Sequence, residues 1–154
     1  MRRVTVDSSL AAKWFLEEAG SSEAQRLLDD WSAGAQVWAP DLIWVECANA
    51  ARHKVEAREL PQAFALRLLA GFLGAEIRTV PSREIAKDAL AVALHTGLTV
   101  WDASYVAVAR RLNAELWTAD RQMATRAPRA HADTHLLTWT DGDAEPIERP
   151  APSR

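Results

Sequence analysis

An α/β protein with a central parallel sheet and helices on both of its faces is predicted by three features of this chain. Short β-branched or apolar runs, such as Val4-Thr5-Val6, Val37-Trp38-Ala39 and Leu116-Trp117-Thr118, alternate with longer segments of helical periodicity. Strands separated by helices in this way pair in parallel through right-handed crossovers, which places helices on both sheet faces. The first run, Arg3-Val4-Thr5-Val6, reaches Asp7 and turns straight into a helical pattern, as expected of a buried mid-sheet strand with ligands gathering outside its carboxyl end. Finally, 154 residues with 49% hydrophobic content suit one domain with a continuous core.

Taken in order, Ser8 or Ser9 caps a first helix through Leu10-Ala11-Ala12-Lys13-Trp14-Phe15-Leu16, ending near Ala19-Gly20. Ser21 and Ser22 open a second, in which Ala24, Leu27, Leu28 and Trp31 recur at helical spacing before Gly34. A strand at Gln36–Ala39 closes on Pro40-Asp41, which start a long third helix from Leu42 to about Ala57. On that helix Glu46, Asn49 and His53 share one polar face, because spacings of three and four residues return to the same side. Leu60-Pro61 starts a fourth helix, Gln62–Leu73, with Phe64, Leu68 and Phe72 as its apolar stripe. A strand at Ile77–Val80 and a helix at Arg83–His95, stopped by Gly97, follow. Leu98–Trp101 is short for a strand and runs directly into Asp102 and an apolar helix, Ala103–Leu112. Glu115–Thr118 is the next strand, followed by Ala119-Asp120, a helical turn at Arg121–Thr125 and a last strand around His135–Leu137. The domain is therefore expected over residues 1–140. Residues 141–154, rich in proline and acidic groups, read as a poorly ordered tail without its own core.

Composition excludes several classes. A net charge of −3 gives no overall basic field, so a nucleic-acid partner has to be held by a local patch or through metal ions. Cys47 is the only cysteine, so no internal disulfide framework forms and a reducing, cytoplasmic setting is expected. The chain shows no secretory pattern and no run of about 18 apolar residues, which argues against membrane insertion. No glycine-rich phosphate loop follows any strand.

The chemistry lies in four acids. Asp7 and Asp120 follow strands, Asp102 starts an apolar helix, and Glu46 rides on the third helix close to its start. Aspartate at a strand-to-helix junction is by default an N-cap, and a lone glutamate on a helix is by default solvated. The joint pattern goes further: Asp7 and Asp102 follow apolar residues where a buried edge is expected, and no local lysine or arginine neutralises them. Carboxylates gathered in one cleft repel one another unless a positive charge sits between them. An all-oxygen donor set without a histidine or cysteine cluster suits magnesium or manganese rather than zinc. The chemistry that follows is metal-assisted phosphodiester hydrolysis, which in its paired form uses ions about 3.5–4 Å apart.

Four segments carry a resemblance: Val4-Thr5-Val6-Asp7-Ser8-Ser9, Pro40-Asp41-Leu42-Ile43-Trp44-Val45-Glu46-Cys47-Ala48-Asn49-Ala50, Trp101-Asp102-Ala103-Ser104-Tyr105-Val106-Ala107-Val108-Ala109 and Leu116-Trp117-Thr118-Ala119-Asp120. In this order they resemble the PIN-domain family, and in particular VapC-type ribonuclease toxins of toxin–antitoxin pairs. The resemblance implies a three-layer α/β/α sandwich around a parallel sheet and Mg2+- or Mn2+-dependent cleavage of RNA. It implies Asp7, Glu46, Asp102 and Asp120 as metal-binding acids, with Asp120 the least essential and acting through water. Ser8, Asn49 and Thr118 match supporting polar residues, and Arg121 is a candidate RNA contact. It further implies a protein antitoxin that fills a hydrophobic groove near Trp14 and Phe15, and a homodimer, for which the third and fourth helices carry apolar surface. The segment Arg121–Arg126 lacks the further acid some relatives place there, so one tightly held ion, with a second arriving alongside RNA, is the preferred version.

Other readings fit less well. A haloacid-dehalogenase pattern requires an aspartate two positions after Asp7, where Ser9 stands, and a receiver domain requires paired acids and a late lysine that the chain lacks. A housekeeping PIN nuclease and a non-catalytic PIN-fold RNA- or partner-binding module remain as alternatives, and the latter is expected to lose some of the acids that are all present here. Arg110, Arg111, Arg126 and Arg129 follow the acidic segments, and Arg110 and Arg111 also complement a helix end. The tryptophans at 14, 31, 44 and 101 fit core or subunit-interface positions, with base stacking as the alternative for an exposed one.

Overall fold

A computed structural model of the chain describes residues 1–140. Five strands form one sheet: β1 (Arg2–Val6), β2 (Ala35–Pro40), β3 (Ile77–Val80), β4 (Glu115–Thr118) and β5 (Thr134–Leu136). Their order is β3-β2-β1-β4-β5 and every pairing is parallel. The intervening helices are α1 (Ser8–Ala11), α2 (Ser21–Ser32), α3 (Ile43–Glu56), α4 (Gln62–Phe72), α5 (Ser82–Thr96), α6 (Val100–Leu112) and α7 (Arg121–Arg126). The α/β/α sandwich expected from the sequence is therefore present, with β1 central.

Being central, β1 is walled on both sides. Val4, Thr5 and Val6 are fully buried, and the core around them takes Leu10, Ile43, Tyr105, Leu116 and Met123. The register pairs Val6 with Trp117, and the Asp7 amide donates to the Trp117 carbonyl at 3.2 Å. Asp7 thereby stands level with Thr118 at the carboxyl edge of the sheet. Among the described residues no helix is long and apolar enough to cross a membrane.

The structure corrects several boundaries. The first helix is only four residues of α1 followed by a 3-10 turn at Ala12–Trp14, because the Trp14 indole Nε1 donates to the Ala24 carbonyl at 2.9 Å and draws the chain onto α2. Its cap is Asp7 rather than Ser8 or Ser9, with the Leu10 amide donating to Asp7 Oδ1. Helix α6 begins at Val100 under a Thr99 cap, so Leu98–Trp101 is no strand and Asp102 lies inside the first turn. The last strand is shifted by one residue, to Thr134–Leu136. The tail expected at 141–154 lies outside the described residues.

Candidate metal centre

Asp7 is the buried member of the site, 4% exposed. Ser9 Oγ donates to its Oδ1 at 2.7 Å, the Leu10 amide donates to the same oxygen at 3.1 Å, and Thr118 Oγ1 donates to Oδ2 at 2.5 Å. Both hydroxyls are themselves held from behind: Ser9 Oγ accepts from the Ala119 amide at 3.0 Å, and Thr118 Oγ1 accepts from the Asp120 amide at 2.9 Å. The ends of β1 and β4 are thus stitched together around one carboxylate.

Glu46 is half-buried on the first turn of α3. Tyr105 OH donates to Oε1 at 2.8 Å and Ser8 Oγ donates to Oε2 at 3.3 Å. Asp120 caps α7 by accepting from the Gln122 amide at 2.8 Å. Asp102 makes no cap, since Thr99 supplies that role and accepts from the Asp102 amide at 3.1 Å. The default explanation as a helix cap accounts for part of Asp7 and Asp120 but not for Asp102.

The electrostatics tie the four acids together. Burial pushes the Asp7 carboxyl up to about 6, its hydrogen bonds oppose the rise, and the charge of Asp102 adds to it. Burial also raises Glu46, against the bonds from Tyr105 and Ser8, and again Asp102 adds to the rise. Asp102 is itself raised by burial, the Thr99 hydroxyl opposes the rise and Asp120 adds to it. Among the described residues no lysine, arginine or histidine forms an ion pair with any of the four.

These donors fit a hard divalent cation: they are all oxygen, negatively charged and without a counter-ion. Among the described residues no group of three histidine, cysteine, aspartate or glutamate side chains is drawn together into a ready-made cage. Cys47, next to Glu46, is buried and its thiol is pushed up to about 12, so it supplies no thiolate at neutral pH.

Of the supporting residues expected from the sequence, Ser8 and Thr118 touch the acids and Asn49 does not. Asn49 is exposed, and its Oδ1 accepts from Arg52 Nε at 3.0 Å, because one turn beyond Glu46 the helix has already left the sheet edge. His53 likewise lies against Arg52. Arg121 is exposed immediately after Asp120. Arg110 lies at the opposite end of α6, roughly 12 Å along the axis from Asp102 at 1.5 Å per residue, and lines a cavity with Arg2 and Arg3. Arg111 pairs with Glu84 at 2.8 Å. Neither belongs to the acidic edge.

Two residues were missed. Ser9 follows Asp7 by two positions, where a hydroxyl reaches the carboxylate of a capping aspartate, and Tyr105 follows Asp102 by three, on the same face of α6. Asp41 shows the opposite case, an acid at the same sheet edge that takes no part. Its Oδ1 accepts from the amide and hydroxyl of Ser82 and closes the start of α5, where Pro81 has no side-chain cap to offer.

Comparison with known proteins places the fold and the sequence together. The PIN-domain family matches residues 4–128. Ribonuclease VapC3 of Pyrobaculum aerophilum is 34% identical over 129 residues, covering 82% of this chain and 95% of the relative. Among solved structures, VapC20 of Mycobacterium tuberculosis, described as a Sarcin-Ricin loop cleaving toxin, superposes with a TM-score of 0.60 at 18% identity, covering 79% of this chain and 93% of that one. A toxin–antitoxin complex from Klebsiella pneumoniae gives a TM-score of 0.61 at 17% identity, covering 88% and 98%. With a match of this extent, the chain belongs to the PIN-domain family, in its VapC-type branch.

Proposed function

We propose that this protein is a Mg2+- or Mn2+-dependent endoribonuclease that hydrolyses RNA phosphodiester bonds, and that it is the toxin of a toxin–antitoxin pair. The observation that carries the reading is the buried carboxylate of Asp7, oriented by three hydrogen bonds and sharing one negative field with Glu46, Asp102 and Asp120, with no ion-pair partner among the described residues. The ribonuclease name of the P. aerophilum relative and the toxin titles of the structural neighbours support it.

In this reading Asp7, Glu46, Asp102 and Asp120 are the residues that would hold the cation, Asp120 as the least essential of them. When bound, the cation activates a water for attack and steadies the charge that develops on the leaving oxygen. Ser9 and Thr118 keep both Asp7 oxygens fixed, and Tyr105 and Ser8 do the same for Glu46, so the site reaches the reacting phosphate already oriented. Arg121, exposed beside Asp120, meets a phosphate of the RNA. Such a substrate puts the working place of the enzyme in the cytosol.

Two partner surfaces complete the proposal. A cavity of about 490 Å3 lined by Trp14, Phe15, Trp31, Leu68 and Phe72 accepts the apolar segment of a protein antitoxin. Val45, Phe64 and Leu66 are exposed on α3 and α4, which supports a homodimer through that face.

The deciding experiment is cleavage of RNA with Mg2+ or Mn2+ by the parent and by Asp7→Ala, with Mn2+ titrated calorimetrically into both and into Asp102→Ala. Cleavage and tight Mn2+ binding by the parent alone are expected. Equal binding by all three proteins would show that the site is misassigned.

A further inference from the structure

Of the seven tryptophans, six are buried or half-buried, and each of the six has an aromatic, histidine or cationic partner on its ring. Trp101 is different. It is 65% exposed and has no ring partner among the described residues. It is also the residue immediately before Asp102, in the first turn of α6.

The turn that leads into α6 carries a second feature. Gly97 adopts φ +74, and its carbonyl accepts from Arg126 Nη1 at 2.6 Å. That bond holds a guanidinium, which has no carboxylate partner among the described residues, against the segment that delivers Trp101 and Asp102. An open indole and a cation anchored on the turn before it therefore belong to the same short stretch, residues 97–102, that carries Asp102. Val100, its neighbour in the chain, is exposed as well.

The geometry points to Trp101 as a stacking platform for one base of the substrate RNA, with Arg126 meeting the phosphate of the same or the adjoining nucleotide. A nucleotide is the ligand that pairs a flat π-face with a negative charge, and an exposed indole with a guanidinium anchored on the turn that leads into its helix offers a partner for each. Another protein surface seated on Trp101 would have to face uncompensated carboxylates at Asp102. RNA arrives with the cation that neutralises them. The role assigned is in substrate placement: the stacked base sets which phosphodiester lies over Asp102. Because stacking tolerates every base, the platform selects for an unpaired nucleotide rather than for a sequence. This inference rests on the ribonuclease reading.

The test uses the full chain carrying Asp7→Asn, which leaves the RNA uncut, and a short single-stranded RNA of mixed sequence with a fluorescein label. Dissociation constants come from fluorescence anisotropy in Asp7→Asn and with Trp101→Leu, Trp101→Phe or Arg126→Gln added. Trp101→Leu is expected to weaken binding about tenfold, Trp101→Phe to restore most of it, and Arg126→Gln to lower the slope of log Kd against log salt by about one. In the cleaving protein Trp101→Leu raises KM with little change in kcat. Equal RNA affinity with leucine and tryptophan overturns the proposal. So does an affinity loss matched by a halved mass in light scattering, which would assign the indole to a contact between copies. Failure of the parent to bind or cut any RNA would instead overturn the ribonuclease reading.

Discussion

Tyr105 OH donates to Glu46 Oε1 at 2.8 Å, joining α6 to α3 just beneath the acidic edge. The bond holds down the Glu46 carboxyl, which burial and Asp102 push up. Removing the hydroxyl with Tyr105→Phe leaves a half-buried carboxylate short of a donor, at a cost of about 1–3 kcal/mol. The acid limb of the cleavage-rate profile is expected to move to higher pH, because Glu46 then gives up its proton later, and Mn2+ affinity is expected to fall. A pH–rate profile identical to the parent's would show that this bond does not tune Glu46.

Asp7 makes stability depend on pH in an unusual direction. Its folded carboxyl is raised to about 6 from 3.8, so the folded state binds that proton more tightly than the unfolded chain does. The contribution of this group to metal-free stability therefore grows as pH falls from above 6 toward 4. At neutral pH the charged form costs on the order of 3 kcal/mol, from about two pKa units at 1.36 kcal/mol each. Asp7→Asn is expected to melt several degrees higher than the parent in EDTA at pH 7.5 and to lose that advantage near pH 4. Mn2+ should raise the melting temperature of the parent and not of the variant. A variant that melts below the parent at pH 7.5 would contradict the assigned burial cost.

Thr118 serves two neighbours at once, donating to Asp7 and accepting from the Asp120 amide. Thr118→Val keeps the shape and removes both bonds, leaving a buried carboxylate oxygen and an amide unsatisfied. A loss of about 2 kcal/mol in urea unfolding is expected, together with strongly reduced cleavage. Thr118→Ser should recover most of both. If valine unfolds like the parent, the hydroxyl is not what fixes Asp7.

Gly20 and Gly34 separate backbone requirement from mere flexibility. Gly20 has φ +85, and a Cβ there would stand 2.7 Å from the Trp139 ring. Gly20→Ala is expected to cost about 2 kcal/mol or more through left-handed strain and the clash. Gly34 has nothing within 4 Å of such a Cβ, so Gly34→Ala is expected to change stability by less than about 1 kcal/mol. Comparable losses at both positions in thermal melts would argue against the packing of Trp139 on Gly20.

How much of this was legible follows physical lines. The strands could be read because each is a short apolar run between helical segments, and the parallel order followed from their alternation. Asp7 and Asp120 could be placed because a residue after a strand lands on the sheet edge whatever the side chains do. The position of Asp102 within its helix was obscured because Thr99, a cap three residues earlier, was read as part of a possible strand. Asn49 shares a helical face with Glu46, yet a shared face does not report the partner, which for Asn49 is Arg52. The roles of Ser9 and Tyr105 depend on side-chain reach across elements far apart in sequence, which periodicity does not report.

The bond between Thr118 and Asp7 joins residues 111 positions apart, and β4 slots in beside the very first strand. A nascent chain still threading from the ribosome therefore has its first acid but not the hydroxyl that orients it, nor the neighbours that make it a trap for a cation. The carboxylate of Asp7 is held in its final orientation only once the last third of the chain has emerged and β4 has docked.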